Sequence, residues 1–299
     1  MLVHEVTRLM EGAQTVLDGT LGGGGHAEAL LAAGARVVGL DRDPEALAAA
    51  RERLRVYEEQ GRFTAVLGNF ANVDEIGALQ GARFDGILLD LGVSSHQLDA
   101  LHRGFSFREG APLDMRMEGA NAPMSAAALL AKADERELGR IFREYADEPR
   151  AMRLAREIVR RRANRPFATS DDLVGAIRGA LGPRTGPSDF ARLFQAVRIA
   201  VNDEMEALRE GLPRLRDRLT SGGIFAVITY HSGEDRIVKR AFREWSADCI
   251  CPPRQPVCTC RGVALGKLVS TRGITPDAQE IARNPRARSA RLRAWRRAA

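Results

Sequence analysis

Three aspartates stand where short apolar runs end: Asp18 after Val16-Leu17, Asp41 after residues 36–40, and Asp90 after residues 84–89. Carboxylates in such places can close a turn, accept hydrogen bonds from hydroxyls, or draw a cation. Between the first two lies the stretch VLDGTLGGGGHAEALL, residues 16–31, in which Gly22, Gly23, Gly24 and Gly25 precede a helix start. Glycines there let backbone come close to a ligand. A triphosphate loop would need Gly-Lys-Ser/Thr, and Gly25-His26-Ala27 supplies no lysine. A dinucleotide fingerprint fits loosely, as Gly22-x-Gly24-x-x-Ala27, with Asp41 near the spacing for a ribose acid. A pyrophosphate would be repelled by three acids, whereas a ligand with a sulfonium and an α-ammonium group would be attracted. S-adenosylmethionine carries both. On this reading the glycine loop approaches the methionine moiety, Asp41 accepts hydrogen bonds from the ribose hydroxyls, and Phe70 lies against the adenine.

The elements that must position these residues are legible in the same stretch. Four apolar runs, ending at Asp18, Asp41, Asn69-Phe70 and Asp90, read as buried parallel strands. Residues 26–33 and 44–59 between them read as helices, the second with Asp43 as N-cap and Pro44 at the first helical position. This alternation predicts a parallel sheet covered by helices, with right-handed crossovers. From about residue 104 to 188 no strand-like run occurs, and residues 126–143, 150–162 and 171–181 read as helices. A helix over 189–219, interrupted near Pro213, leads to a fifth strand at 223–229, with further strands near 267–270 and 289–295. The expected organisation is an α/β domain over 1–104 and 189–299, with an inserted helical substrate-recognition domain over 105–188.

The chain has 299 residues, 44% of them hydrophobic, enough for a substantial core. It carries 45 basic and 39 acidic residues, a net charge of +6, which leans toward an anionic partner. No apolar stretch is long enough for a membrane span and the first residues lack a signal-peptide layout, so a cytoplasmic location without membrane association is expected.

The sequence resembles the bacterial 16S rRNA (cytosine-N(4))-methyltransferases. The matching stretches are DGTLGGGGH, GLDRDPEAL, GNFANV, FDGILLDLGVSS, RGFSFREGAPLDMRM, FQAVRIAVNDE, GGIFAVITYHSGEDRIVKR and NPRARSARLR, which together span nearly the whole chain. The resemblance implies a class I S-adenosylmethionine-dependent methyltransferase fold, Rossmann-like with a mostly parallel sheet and an inserted α-helical domain. It also implies S-adenosylmethionine as donor and a decoding-centre cytidine of 16S rRNA, within the small ribosomal subunit, as acceptor. Carried over by position, the cofactor contacts fall on Gly24, Gly25, His26, Asp41, Phe70, Asp90 and Gln97. Two departures stand out: His96 where the family often has proline, and TYHSGEDR where relatives commonly have a serine-aromatic-His-Ser-Leu-Glu-Asp-Arg run. An NAD-dependent oxidoreductase and a non-catalytic RNA-binding protein are the rival readings. Oligomeric state, a homodimer included, is left open.

The exocyclic amine of cytosine is a poor nucleophile because its lone pair is delocalised into the ring. Rate must therefore come from in-line positioning and from a group that receives its proton. Asp90 is the first candidate catalytic residue, and His231 and Asp235, after the fifth strand, are second candidates. For RNA, residues 136–165 hold ten arginines against five acids and residues 283–297 hold seven against none. Intrahelical pairs account for the first group as well as phosphate contacts do; for Arg286, Arg288, Arg291, Arg293, Arg296 and Arg297 no acid is near in sequence, and phosphate contact is expected. Cys249, Cys251, Cys258 and Cys260 form C-x-C-x6-C-x-C around Pro252-Pro253; C-x-C is a less typical half-site than C-x2-C, no metal is assigned, and zinc and a reduced hairpin both remain open.

Overall fold

The computed structural model describes residues 1–252, 255 and 257–299, apart from the side chains of Ser95, His96 and Asn121; the departure at His96 and the loop position Pro253 therefore fall outside the described residues. In chain order the first unit contains α1 (Val3–Leu9), β1 (Thr15–Asp18), α2 (Gly25–Ala32), β2 (Arg36–Asp41), α3 (Pro44–Glu59), β3 (Phe63–Leu67) and β4 (Phe84–Asp90). There follow α4 (Ser95–Asp99), α5 (Ala126–Lys132), α6 (Glu135–Ala146), α7 (Ala151–Arg162), α8 (Ser170–Leu181), α9 (Pro187–Val201) and α10 (Glu204–Asp217). The chain ends with β5 (Leu219–Thr229), α11 (Ser232–Trp245), β6 (Gly266–Leu268), α12 (Ala278–Arg283) and β7 (Arg291–Arg297). Two compact units result, Met1–Gly92 with Glu206–Ala299, and Val93–Met205.

The sheet of the first unit runs β3-β2-β1-β4-β5-β7-β6, parallel through β5, with β7 antiparallel to both neighbours. This is the Rossmann-like, class I arrangement expected from the sequence. Strand alternation sends Val16, Val37, Leu88 and Ile228 to one face, where α1, α2 and α3 pack. Leu17, Leu40, Leu89 and Val227 go to the other, against α10 and α11. At the β7 end, Phe225, Phe242, Trp245 and Trp295 form one aromatic cluster, its closest pair Trp245–Trp295 packed edge to face with ring centroids 5.3 Å apart, and the Trp295 indole donates to Ser246 Oγ at 3.1 Å. That aromatic anchor fixes β7 as a buried strand. α3 starts as its sequence predicts: the Asp43 side chain accepts from the Glu45 amide at 3.0 Å and Pro44 follows.

The helical unit has its own core, built on Leu130, Phe142, Leu154, Ile158, Leu173, Ile177 and Leu193. It extends beyond 105–188 at both ends, because Leu98 packs against this core before residue 105, and Phe190, Leu193 and Phe194 of α9 lie inside it. The break expected at Pro213 falls instead at Asn202-Asp203. The Asn202 amide donates to Met115 O at 2.7 Å and Arg198 O at 2.9 Å, its Oδ1 accepts from Met117 N at 2.8 Å, and Asp203 turns to φ 49°. A side chain that claims three backbone groups ends α9 more firmly than a proline bends α10.

RGFSFREGAPLDMRM lies in this helical unit and braces it. Gly104 has φ 70°, and a Cβ there would collide with the Pro112 carbonyl oxygen. Arg103, buried, donates to Arg116 O and Met117 O at 3.0 and 2.9 Å.

Candidate functional site

Strand register decides where the three aspartates meet. Asp18 pairs with Gly39 on β2 and with Leu88 on β4. Asp41 and Asp90 each stand two residues further along, so alternation turns all three side chains to the same face, beyond the carboxyl edge. β1 is also where the strand order reverses, β2 and β3 lying on one side and β4 on the other. The loops after β1 and β4 therefore flank the topological switch point, the usual ligand crevice of such sheets.

The glycine loop is tied to this edge by backbone. Gly19 N–H donates to Leu88 O at 2.9 Å, Leu21 N–H to Leu40 O at 3.0 Å, and Gly22 N–H to Asp41 Oδ2 at 2.7 Å. Gly24 caps α2 with φ 78°, and a Cβ there would press on Leu54 at 3.0 Å. Gly23 and Gly25 differ: a Cβ at either would meet nothing within 4 Å. No packing partner forbids a side chain at these two, and the backbone there is open to approach. Asp41 Oδ1 takes a second bond, from Asp43 N–H at 2.9 Å, and burial raises its pKa above the ordinary range.

Asp18, 1% exposed, is pushed up to about 7 by burial, with Asp90 and Asp41 adding to the rise against the Thr20 amide that donates to it. Asp90 is held by its own backbone, whose N–H donates to Thr20 Oγ1 at 2.6 Å, and by the Tyr230 hydroxyl, which donates to Oδ1 at 2.7 Å. Burial, then the neighbouring Asp90, drives the Tyr230 pKa upward, so the phenol stays protonated and remains a donor. Burial likewise holds His26 below its ordinary pKa against the pull of Asp90. Neutral His26 donates from Nε2 to Met1 O at 2.8 Å, which leaves Nδ1 as an acceptor. That nitrogen faces Asp90 Oδ2 at 3.6 Å. Two acceptors side by side beyond hydrogen-bond length can be reached together by a donor that approaches them from one side.

Phe70 lies at the same edge, after β3. A Cβ on Gly211 of α10 would meet Phe70 Cδ2 at 2.5 Å, so the ring rests against a helix with no side chain there. Of the sequence-predicted residues, Gly24, Gly25, His26, Asp41, Phe70 and Asp90 belong to this unit. Gln97 belongs to the helical unit, where it is buried and its Oε1 accepts from Ser94 N–H at 2.9 Å. Sequence reasoning missed Tyr230, Thr20 and Gly211. Tyr230 was within reach, as the residue directly before His231 at the end of the fifth strand; Thr20 and Gly211 carry no signal apart from the fold.

A family model described as the MraW methylase family matches residues 1–298. The chain belongs to that family. It is 64% identical over 296 residues to the ribosomal RNA small subunit methyltransferase H of Gemmatimonas aurantiaca, covering 99% of this chain and 94% of that one. The protein of the same name from Heliobacterium modesticaldum is 45% identical over 304 residues, covering 98% and 96%.

Within this MraW-family chain, the second catalytic candidates are engaged elsewhere. His231 is the N-cap of α11: its Nδ1 accepts from Gly233 N–H at 3.1 Å, and its buried Nε2 stands 3.1 Å from Glu234 Oε1 without hydrogen-bond alignment. Asp235 accepts from Arg293 Nε at 2.6 Å and Nη2 at 3.0 Å, with Arg291 at 3.5 Å. The tail arginines thus do have an acid, brought to them by α11. Arg293 is 7% exposed, and Arg296 and Arg297 donate to the carbonyls of Gly222, Arg216 and Leu219. Sequence distance hid that acid because β7 and α11 meet only in the folded sheet. In the other basic region Arg140, Arg156, Arg160, Arg161 and Arg165 pair with acids, while Arg136, Arg143 and Arg153 are exposed without an acidic partner among the described residues. Among the described residues no helix is long and apolar enough to cross a membrane.

Proposed function

We propose that this chain transfers the methyl group of S-adenosylmethionine to the exocyclic N(4) amine of a decoding-centre cytidine in 16S rRNA. The observation that carries the reading is the register that gathers Asp18, Asp41 and Asp90 on one sheet face at the switch point, beside a glycine loop with open space at Gly23 and Gly25. Membership of a methylase family and the names of its relatives support the reaction and the small-subunit substrate.

The residues fit this donor. Asp41, its carboxylate oriented by the Gly22 and Asp43 amides, accepts from the ribose hydroxyls. Phe70 takes the adenine, and the backbone at Gly24 and Gly25 takes the methionine end. The facing acceptors His26 Nδ1 and Asp90 Oδ2 suit an ammonium or amine donor. When bound, S-adenosylmethionine supplies an electrophilic methyl group on a sulfonium. Asp90 orients the target amine and accepts its proton, while the Tyr230 hydroxyl fixes the carboxylate through Oδ1 and leaves Oδ2 for that work. Gln97 is assigned to the cofactor by family resemblance alone. The helical unit is assigned to recognition of the RNA, for which the exposed Arg136, Arg143 and Arg153 provide phosphate contacts.

Calorimetry with S-adenosylmethionine and with NAD tests the cofactor, and methyl transfer to isolated rRNA against small subunits, followed by mapping of the modified base, tests the acceptor. Binding of NAD in preference to S-adenosylmethionine would refute the first half; a methylated base other than a cytidine would refute the second.

A further inference from the structure

Between α11 and β6, residues 246–266 contain no fully buried residue among those described, so no hydrophobic core orders this segment. It holds all four cysteines of the chain. Their Sγ atoms all lie within 4.8 Å of one another. Cys249–Cys258, Cys251–Cys258 and Cys249–Cys260 are each 3.8 Å apart, and Cys258–Cys260 is 3.4 Å. A disulfide requires about 2.05 Å, far shorter than any of these separations. Four sulfurs at the corners of a tetrahedron, each bonded at about 2.3 Å to a central ion, are about 3.8 Å apart along every edge. Three of the observed separations match that edge, the fourth is shorter at 3.4 Å, and no pair is farther apart than 4.8 Å.

We propose that Cys249, Cys251, Cys258 and Cys260 bind one zinc ion. The two C-x-C segments act as opposed half-sites, an unusual spacing that the fold nonetheless gathers within reach of a single ion. Four thiolates around a divalent ion leave two negative charges, which need donors nearby. Ile250 N–H donates to Cys260 Sγ at 3.3 Å, and the guanidinium of Arg261 follows directly in sequence. Arg261 is itself held by the carbonyls of Glu244, Ala247 and Val263, so it ties the segment to the end of α11. Zinc suits an all-thiolate tetrahedron, and its closed shell has no open position for chemistry there. Its role is to order a segment that lacks a core of its own. The ion also determines which residues the segment presents: Val257 and Ile250, 70% and 43% exposed, are carried outward beside the half-sites.

Elemental analysis of full-length protein purified under reducing conditions without chelator is expected to give one zinc per chain. Cys258→Ser and Cys260→Ser are each expected to lower that content at least tenfold while S-adenosylmethionine binding is retained. If those variants fail to fold, titration of metal-stripped wild-type protein with cobalt is expected to give the thiolate-to-metal charge-transfer bands of a tetrahedral site at one equivalent. Zinc below a tenth of an equivalent together with no cobalt signal, iron in place of zinc, or four thiols that react freely in the native protein would each overturn the proposal.

Discussion

The aspartates of the sheet edge and the arginines of the tail reverse the relation between sequence and space. Asp18, Asp41 and Asp90 are dispersed along the chain, yet parallel register turns them to one face at one edge. The arginines of 283–297 are crowded in sequence, yet a strand and its flanking turn send them apart: Arg293 into a buried pair with Asp235, Arg296 and Arg297 to backbone carbonyls, Arg283 and Arg288 to the surface. Local density of one residue type is therefore poor evidence of a site, and regular placement at strand ends is good evidence.

The contrast breaks first at Asp90. Asp90→Asn keeps the shape and removes the proton acceptor, so turnover should fall by about 100-fold or more, the lower end for a general base. S-adenosylmethionine affinity should change much less. Single-turnover methyl transfer alongside calorimetry separates the two, and full turnover with unchanged affinity would exclude the assigned role. Tyr230→Phe should lower turnover less steeply, since it removes one hydrogen bond to a charged group worth roughly 1.5–3 kcal/mol. On the arginine side, Arg293→Ala leaves the Asp235 carboxylate, 18% exposed, without its bidentate partner. Loss of one member of a buried pair costs roughly 3 kcal/mol. Urea unfolding should therefore show strong destabilisation by Arg293→Ala and almost none by Arg288→Ala; equal effects would mean the tail is not divided as described.

Asp18 sharpens the aspartate side through pH. Its carboxyl is raised to about 7 in the folded protein by burial, above an unfolded value of roughly 3.9. The folded state therefore holds the proton more tightly. The stability this contributes is complete below the unfolded value and is lost as pH climbs through about 7. Asp18→Asn should flatten that decline by on the order of 2 kcal/mol once relaxation around the ionised carboxylate is allowed for. Thermal unfolding of both proteins between pH 5 and 8 checks it; parallel curves would mean that Asp18 is solvated or paired in the fold.

How much of this was legible in the sequence follows from which forces are local. The four strand-end residues, the Asp43 cap and Pro44 are local events, and α3 lies where its sequence places it. The Asn202 stop was not legible, because it depends on the carbonyl of Met115 and the amide of Met117. The pairing of Asp235 with Arg293 was hidden for the same reason; Tyr230 was within reach by its place at the end of the fifth strand, but its bond to Asp90 depends on β5 lying beside β4. The cysteines fall between the two cases. Their types and spacing permitted a metal, and only the distances between sulfurs, set by the fold, favour one.

The smallest expected effect concerns the arginines that the fold leaves at the surface. Arg283 and Arg288 are exposed and have no acidic partner among the described residues, so substituting both by glutamine should leave stability within about 0.5 kcal/mol. If they meet RNA phosphates, each contributes released counterions to binding, and the logarithm of affinity should fall less steeply with salt by roughly one for each phosphate that is no longer neutralised. Arg293→Gln cannot serve in their place, since its guanidinium is already committed to Asp235. Binding of the double variant to small subunits across a salt series is the measurement. An unchanged slope would move the RNA-binding surface away from the tail and leave the helical unit's Arg136, Arg143 and Arg153 as the phosphate-binding set.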